Sequence, residues 1–269
     1  MLEEKKYYDK NSGLIIFCKQ KADNKYWDNH WENSGIKRLI KNPPKHRFFK
    51  KITLRYLKPP AKIIEGGCGM GDKVIRLSQA GYETYGIDFA EQSVIEIKKA
   101  YPYLNILVSD VKSLPFKDDF FDGYWSLGVI EHFFDGYDPI LNEMERVIKK
   151  GGFLFLTFPM MSPFRKRKAY KGKYLQVANT KTIQENFYQY ALNPESVIDK
   201  ITSKGFSVES KQGFDSLKGI KDEINFLSVP IGLFIKKIPG LSSIIGVLFD
   251  KLLGNFFGHM MLIVFKKQT

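Results

Sequence analysis

Short β-like runs alternate with helical patterns through the central part of the chain. Between residues 61 and 159, runs rich in β-branched and aromatic residues are separated by segments whose apolar residues recur at helical spacing. This alternation is typical of βαβ units, which assemble into a parallel sheet covered by helices. The predicted strands are Ala61–Glu65, Glu83–Ile87, Leu104–Ser109, Phe120–Ser126 and Phe153–Phe158, and the predicted helices are Asp72–Ala80, Glu91–Ala100 and Pro139–Lys150. The sequence therefore predicts an α/β fold with a doubly wound, mostly parallel sheet.

Two irregular segments interrupt this pattern and divide the rest of the chain. In chain order, the predicted divisions are an N-terminal helical cover (1–60), a ligand-binding core (61–159), a basic lid insertion (160–193), a core helix and strand (194–213), an amphipathic apolar insertion (214–256), and a final core strand and tail (257–269). Open α/β sheets bind ligands at the carboxyl ends of their strands. We therefore expect the N-terminal cover and both insertions to lie over a site at that edge.

Composition excludes several classes of protein. With 269 residues, of which 43% are hydrophobic, the chain can bury a large core and is not a disordered protein. Cys18 and Cys68 are too few for a disulfide framework or a cysteine-based zinc site, and the four histidines lack metal-binding spacing, so no metal is predicted. The first residues do not predict a secretory leader, and no apolar run reaches about 18 uninterrupted residues. We expect a cytoplasmic protein, with peripheral membrane contact as an open alternative.

The net charge of +13 is unevenly distributed along the chain. Basic segments at 1–60 and 160–204 frame an acidic centre at 61–159. This pattern indicates either an anionic partner that meets the flanks or ordinary solvated lysines, and the sequence leaves both interpretations open.

A glycine-rich turn carries the strongest chemical signal. The segment from Glu65 to Asp72 reads EGGCGMGD, and its glycines allow a tight turn and a close backbone approach to a ligand. A dinucleotide-binding GxGxxG pattern read from Gly67 would need glycine where Asp72 stands. The carboxylate at that position would repel a phosphate, so nicotinamide chemistry is disfavoured.

Four separated motifs together resemble the class I S-adenosylmethionine (SAM) dependent methyltransferases, in their small-molecule, type 11-like branch. EGGCGMG is similar to the E/D-x-G-x-G-x-G loop of that family, and the segments around Asp88, Asp110 and Ser126 follow in the family's order. The resemblance implies a Rossmann-like, seven-stranded sheet with an antiparallel last strand, and SAM as cofactor with S-adenosylhomocysteine as product. The cofactor-binding residues that it implies are Glu65, Gly66, Gly67, Gly69, Gly71, Asp88, Phe89, Asp110, Val111, Ser126 and Leu127.

The resemblance also implies roles for some of these residues. Asp88 follows the second strand, where the family's acidic residue binds both ribose hydroxyls. Asp110 and Val111 correspond to the adenine contacts, and backbone carbonyls near Ser126 would face the methionine ammonium. Each carboxylate alone is equally consistent with a helix cap.

Few catalytic residues are needed, because a sulfonium methyl is already electrophilic. His132 is the candidate general base, since histidine titrates near neutral pH, and the alternative is a structural or positioning histidine. His30, His46 and His259 are weaker candidates. Trp27 and Trp31 lie four residues apart, so they share one helical face that either closes over the cofactor or docks the helix on the core.

The two insertions bear on the methyl acceptor. The first insertion begins with the basic cluster Phe164–Lys168. This cluster either binds anionic groups such as phosphate or carboxylate, or is an ordinary solvated loop. The second insertion contains an apolar stripe of Leu241, Ile244, Ile245, Leu248, Phe249, Leu252 and Phe256. This stripe either packs on the domain or a second subunit, or forms a lid or an interfacial patch for a lipidic substrate.

We therefore expect methyl transfer to a small-molecule or lipid-linked, anionic acceptor. RNA methylation and a non-catalytic scaffold are the alternatives. Amino-methylating nucleic-acid enzymes carry a [D/N/S]-P-P-[Y/F] signature where this chain has Ser126-Leu127-Gly128-Val129. Asn42-Pro43-Pro44-Lys45 precedes the glycine loop and is interpreted as a turn.

Overall fold

A seven-stranded sheet forms the centre of the computed structural model, which describes residues 4–33, 47–177, 180–237 and 239–268. Its strands are β3 (Lys62–Gly66), β4 (Glu83–Asp88), β5 (Asn105–Val108), β6 (Phe121–Leu127), β7 (Ile148–Pro159), β10 (Phe206–Phe214) and β11 (Met260–Lys267). They lie in the order β10-β11-β7-β6-β3-β4-β5, and β11 alone runs antiparallel to its neighbours. The predicted α/β, Rossmann-like sheet with an antiparallel last strand is confirmed.

Helices cover this sheet as the βαβ pattern requires. They are α3 (Asp72–Ser78), α4 (Glu91–Ala100), α5 (Asp138–Val147) and α8 (Pro194–Thr202). The main core packs the apolar faces of α5 and α8 against the central strands, through residues such as Met144 and Val197 against Leu154 and Ile263. Burial of these aliphatic side chains is the main stabilising contribution to this layer.

The strand order creates a break at the middle of the sheet. From β3 the chain moves outward through β4 to β5, and then returns to the opposite side of β3 to form β6. The loops that follow β3 and β6 therefore diverge and leave a crevice between them, which is where open α/β sheets bind ligands.

A second sheet corrects the prediction that residues 1–60 form a helical cover. Residues before the core instead begin with an antiparallel hairpin of β1 (Lys5–Asp9) and β2 (Leu14–Cys18). Only α1 (Asn24–Asn33) and α2 (Arg47–Tyr56) are helical within the described part of that segment. Ile15 and Phe17 of β2 are buried, because a second layer of structure covers them.

That second layer comes from the basic insertion at 160–193. It contains α6 (Pro163–Tyr170), β8 (Leu175–Gln176), α7 (Thr180–Glu185) and β9 (Phe187–Ala191). The strands combine with the N-terminal hairpin in the order β8-β1-β2-β9. Two segments that are about 170 residues apart in sequence therefore form one small sheet beside the core.

The second insertion is helical. It consists of α9 (Ser216–Glu223), α10 (Asn225–Lys237) and α11 (Pro239–Phe257). Phe214 belongs to β10, so the insertion begins just after the predicted boundary. Among the described residues, no helix is both long enough and apolar enough to span a membrane. The turn predicted at Asn42-Pro43-Pro44-Lys45 and the candidate His46 lie outside the described residues.

Candidate active site

A cavity of about 790 Å³ lies where the loops after β3 and β6 diverge. This volume is within the range of about 300–1,000 Å³ that is typical of sites for small molecules. The predicted site residues on its wall are Glu65, Gly67, Gly69, Asp88, Phe89, Asp110, Val111, Leu127 and His132. The fold thus brings together residues from four separate motifs.

The glycine loop forms one wall of the cavity. The backbone amides of Gly67 and Cys68 both donate to the Ile87 carbonyl, at 2.8 and 2.9 Å, which ties the loop to β4. Gly69 has a φ of +50°, and a side chain there would meet the indole of Trp31. Glycine is needed because the backbone is left-handed and because the Trp31 ring lies directly over it.

Glu65 presents an unsatisfied carboxyl to the cavity. It is 3% exposed, it accepts a hydrogen bond from the Val74 backbone amide, and its Oε2 finds no hydrogen-bond partner among the described residues. Burial raises the pKa of Glu65 to about 8, although the nearby Lys73 ammonium opposes the shift. A buried acceptor of this kind is costly unless a ligand satisfies it. The site therefore suits a ligand that carries a cationic donor.

Asp88 lies across the loop from Glu65. Its Oδ2 accepts from the Gly69 amide at 2.7 Å and its Oδ1 accepts from the Ala90 amide at 2.9 Å. Burial raises the pKa of Asp88, while these backbone amides partly offset the rise. The Phe89 amide also donates to this carboxylate, which has about four acceptor positions in all, so acceptor capacity remains for a ligand hydroxyl.

The next strand contributes Asp110 and Val111. Val111 is buried, whereas Asp110 is exposed at the rim and accepts a hydrogen bond from the Lys112 amide at 2.9 Å. An apolar surface beside a carboxylate acceptor suits a flat ring that carries an amino group. These donors and acceptors, together with the free Glu65 oxygen, fit the polar groups of SAM.

Three predicted cofactor residues do not line the cavity. Gly66 packs against the Tyr124 ring, and Gly71 faces Ile97 beneath the loop. Ser126 is fully buried within β6, and its hydroxyl has no hydrogen-bond partner among the described residues. The sequence motif places these residues next to the site, but their side-chain positions face the core.

His132 lies in the wall that follows β6. Its Nδ1 is 2.7 Å from the Tyr188 carbonyl oxygen, and its ring meets the rings of Trp27 and Tyr188 edge-on at 5.0 and 5.1 Å. Burial lowers the pKa of His132 to about 4, although the carbonyl opposes the shift. Because a carbonyl only accepts, Nδ1 carries the proton in the neutral ring and Nε2 is left as an acceptor.

Aromatic residues that the sequence analysis missed extend the cavity beyond His132. Phe133 and Phe134 follow it in the chain, and Phe187 reaches the same wall from β9. Trp27 and Trp31 of α1 also line the cavity and stack with their ring centres 5.6 Å apart. Trp31 also packs against the core cluster beneath the glycine loop, so the two interpretations of this indole pair, covering the site and docking the helix, are both consistent with the structure.

Lys73 is a further missed residue, and the cavity wall includes it. Its Nζ lies 3.0 Å from Asp72 Oδ1. Burial lowers the pKa of Lys73, but the neighbouring Glu65 and Asp72 carboxylates raise it overall. Its position directly after the glycine loop, in the first turn of α3, was the signal that could have found it.

The two insertions contribute less to the cavity than predicted. Within the described residues, the basic insertion supplies Phe187 alone, and residues 214–256 supply none of the wall. In the predicted basic cluster, Arg165 is 1% exposed and its Nε lies 3.1 Å from Glu223 Oε1. The Arg165 side chain is therefore a buried link between the insertions, neither a free anion site nor a solvated surface residue.

Comparison with known proteins agrees with this geometry. A family described as "Methyltransferase domain" matches residues 64–156. A "probable S-adenosylmethionine-dependent methyltransferase" of Mycolicibacterium smegmatis is 24% identical over 56% of this chain and 54% of its own length. Demethylmenaquinone methyltransferase of Streptomyces avermitilis is 31% identical over 40% of this chain and 48% of its own length. The matched region thus spans about half the length of these two relatives.

A solved structure shares the fold over a larger part of the chain. That structure is a complex between the Haloferax volcanii Trm112 methyltransferase activator and a methyltransferase. One chain of the complex matches this chain with a TM-score of 0.58 and 15% identity, over 90% of this chain and 98% of that one. At this identity the likeness concerns the fold alone. Together with the family match over the glycine loop and the following strands, these findings support a class I SAM-dependent methyltransferase domain of the type 11 branch at residues 64–156.

Proposed function

We propose that this protein transfers a methyl group from SAM to a small-molecule or lipid-linked, anionic acceptor with an apolar body. The observation that carries the proposal is one cavity with two chemically different ends. Glu65, Asp88 and the glycine loop line one end, and His132 with an aromatic wall lines the other.

The first end is suited to hold the cofactor. When bound, SAM supplies a methyl group on a positively charged sulfur, which is already activated toward nucleophiles. In our proposal, Glu65 pairs with the ammonium of the methionine part and Asp88 accepts from the ribose hydroxyls. Val111 would lie against the adenine, with Asp110 accepting from its amine. These assignments use the free lone pairs that burial leaves on Glu65 and Asp88.

The second end of the cavity indicates which kind of methyl acceptor would fit there. Phe133, Phe134 and Phe187 offer an apolar surface, and Lys21 and Lys112 lie on the same cavity wall. The Lys21 ammonium favours an acceptor that carries negative charge, whereas the Lys112 ammonium pairs with Asp110 at 3.4 Å. The aromatic rings exclude water from the acceptor's apolar part, which favours close alignment of the two reactants.

The lowered pKa of His132 restricts the role that its side chain can have in the reaction. With a pKa lowered to about 4, its neutral ring is a weak base in the free protein. We propose that Nε2 accepts a hydrogen bond from a donor group of the acceptor beside its nucleophilic atom, and so positions the acceptor. The nucleophilic atom itself arrives ionised, so methyl transfer from SAM leaves S-adenosylhomocysteine and no proton to remove. This reading favours the positioning role over that of a strong general base.

Calorimetric titration with S-adenosylhomocysteine tests the cofactor part of the proposal. Binding should be lost in Asp88→Ala and kept in Asp199→Ala, a matched control because Asp199 is exposed on α8. Absence of binding by the folded wild-type protein would refute the proposal and favour the scaffold alternative.

Transfer of labelled methyl groups tests the acceptor part. Extracted lipids, small organic acids and RNA would be offered separately with labelled SAM. We expect label in an organic-solvent-soluble or acidic product. Label found in RNA alone would replace the proposed acceptor with the nucleic-acid alternative.

A further inference from the structure

Exposed apolar side chains are concentrated on the helix pair α10–α11. Of the fifteen large apolar side chains that are exposed within the described residues, seven lie on these two helices. They are Phe226, Val229, Leu233, Val247, Leu248, Leu252 and Phe256. Soluble proteins seldom expose contiguous apolar surface of this kind without a partner for it.

On α10 the exposed residues form a single stripe. Phe226, Val229, Leu233 and the exposed Lys237 recur at intervals of three, four and four residues, which places them on one helical face. Phe226 is 79% exposed. An ordinary surface helix turns such a stripe toward the core, whereas α10 turns it toward solvent.

The opposite side of α11 is fixed to the rest of the molecule. Asp250 accepts hydrogen bonds from the amide and hydroxyl of Ser216, at 2.7 and 2.8 Å. Gly254 packs so closely on Gly213 of β10 that a side chain at either glycine would collide with the other's carbonyl. The outward direction of Leu252 is therefore set by packing on the other face of the helix.

Part of the apolar stripe predicted in the second insertion faces solvent, whereas Ile245 and Phe249 are half-buried and the side chains of Leu241 and Ile244 lie outside the described residues. Leu248, Leu252 and Phe256 belong to the stripe that was expected either to pack on the domain or to meet an interface, and all three are exposed. The described insertion residues also stay off the cavity wall, so these side chains are not a lid over the site.

The charge on the helix pair indicates what would cover it. Lys236, Lys237 and Lys251 are its basic residues, and Asp250 is its single acid. Asp250 is engaged with Ser216, and Lys237 and Lys251 are exposed beside the apolar stripe. Apolar side chains flanked by lysines complement a surface whose interior is hydrocarbon and whose outer layer is negative.

We propose that α10 and α11 dock on the surface of an anionic lipid bilayer. Phe226, Leu233 and Leu252 enter the boundary between headgroups and acyl chains, while Lys237 and Lys251 meet the lipid phosphates. The interaction is peripheral, because no described helix could span a bilayer. The inference does not depend on the methyltransferase activity, since it uses a different surface.

Sedimentation with lipid vesicles tests the inference. The full chain should bind vesicles made of equal parts phosphatidylglycerol and phosphatidylcholine, and it should bind phosphatidylcholine vesicles much more weakly. Phe226→Asp and Leu252→Asp should each reduce the partition coefficient about tenfold, because they place a charge in the apolar stripe. Lys251→Gln, which removes one positive charge, should reduce it about fivefold at low salt.

Matched controls separate docking from misfolding. Tyr103→Asp places the same charge at another exposed apolar residue, between α4 and β5, and should leave vesicle binding unchanged. Circular dichroism and titration with S-adenosylhomocysteine should be the same for Leu252→Asp as for the wild type.

Two results would overturn the inference. The first is that the folded wild-type protein does not bind the anionic vesicles, or that Leu252→Asp binds them as strongly as the wild type does. The second is a dimer in sedimentation velocity that Leu252→Asp dissociates, without any vesicle binding, since a second copy of this chain would then be the occupant. Neither result would affect the test of cofactor binding.

Discussion

The raised pKa of Glu65 predicts that cofactor affinity depends on pH between 6 and 7. The free protein holds Glu65 mostly protonated, because burial raises its pKa to about 8. A ligand ammonium pairs with the carboxylate, so only the ionised fraction of the protein is competent to bind tightly. Binding should therefore strengthen as the pH rises toward 8.

The size of the effect follows from the ionised fraction. With a pKa of about 8, Glu65 is about 1% ionised at pH 6 and about 9% ionised at pH 7. The apparent dissociation constant scales inversely with the competent fraction, so it should fall about ninefold over this interval. Binding at pH 7 should release close to one proton, because Glu65 ionises when the ligand arrives.

Calorimetry measures both quantities. Titrations with S-adenosylhomocysteine at pH 6 and pH 7 give the affinity ratio, and two buffers of different ionisation enthalpy give the number of protons released. Glu65→Gln keeps the size of the side chain but cannot ionise, so it should remove most of the pH dependence. A wild-type affinity that is flat between pH 6 and 7, or an unchanged slope in Glu65→Gln, would refute the reasoning.

Three further predictions address the buried link, the glycine loop and His132. Arg165→Met should lower the free energy of unfolding by about 2 kcal/mol in urea titrations, because Glu223 loses its most buried cationic partner and keeps only Lys6 and Lys168. The exposed control Lys166→Met should stay within about 0.5 kcal/mol of the wild type. Gly69→Ala should weaken S-adenosylhomocysteine binding at least about tenfold in calorimetry, while Gly151→Ala has similar backbone strain in open space and should bind normally. Because burial lowers the pKa of His132 to about 4, kcat/KM should show no His132 ionisation between pH 6 and 8. An inflection near pH 6.5 that disappears in His132→Gln would contradict this.

The parts of the fold that follow from local pattern were predictable from the sequence. The helix predicted at Glu91–Ala100 has those bounds in the structure, and the strand predicted at Glu83–Ile87 extends by one residue to Asp88. The hydrophobic periodicity that distinguishes a buried strand from an amphipathic helix repeats every few residues, so a short stretch of sequence is enough to detect it. The glycine loop is similar, because its conformational demand is local.

The second sheet was not predictable by the same reasoning. β1 pairs with β8, which begins at Leu175, and β2 pairs with β9, which begins at Phe187. Both partners lie far along the chain, and such a pairing leaves no local signal in either segment. The hairpin residues Leu14–Cys18 form a short apolar run, which periodicity cannot distinguish from part of a buried helix. The interpretation of residues 1–60 as a helical cover followed from the helical spacing of Trp27 and Trp31, which is correct for α1 but does not extend to the hairpin.

The buried position of Arg165 shows a further limit. In the sequence it belongs to a run of four basic residues, which ordinarily indicates a solvated surface. In the structure Glu223 carries the compensating charge: burial opposes its ionisation, but Arg165 and two lysines lower the pKa of Glu223 to about 2. The partner lies 58 residues away, so only the tertiary structure identifies the pair.

The two ends of the candidate site likewise differ in whether local motifs or contacts between distant segments build them. The end proposed for the cofactor is built from Glu65, Gly69 and Asp88, which lie at or just after adjacent strands of the core and are fixed by local motifs. The acceptor end depends on Phe187, and the orientation of His132 depends on the Tyr188 carbonyl. Phe187 and Tyr188 both lie in β9, which pairs with β2 of the N-terminal hairpin. A change in the small sheet can therefore alter the acceptor end while leaving the cofactor end intact, so sequence motifs identify the cofactor more readily than the acceptor.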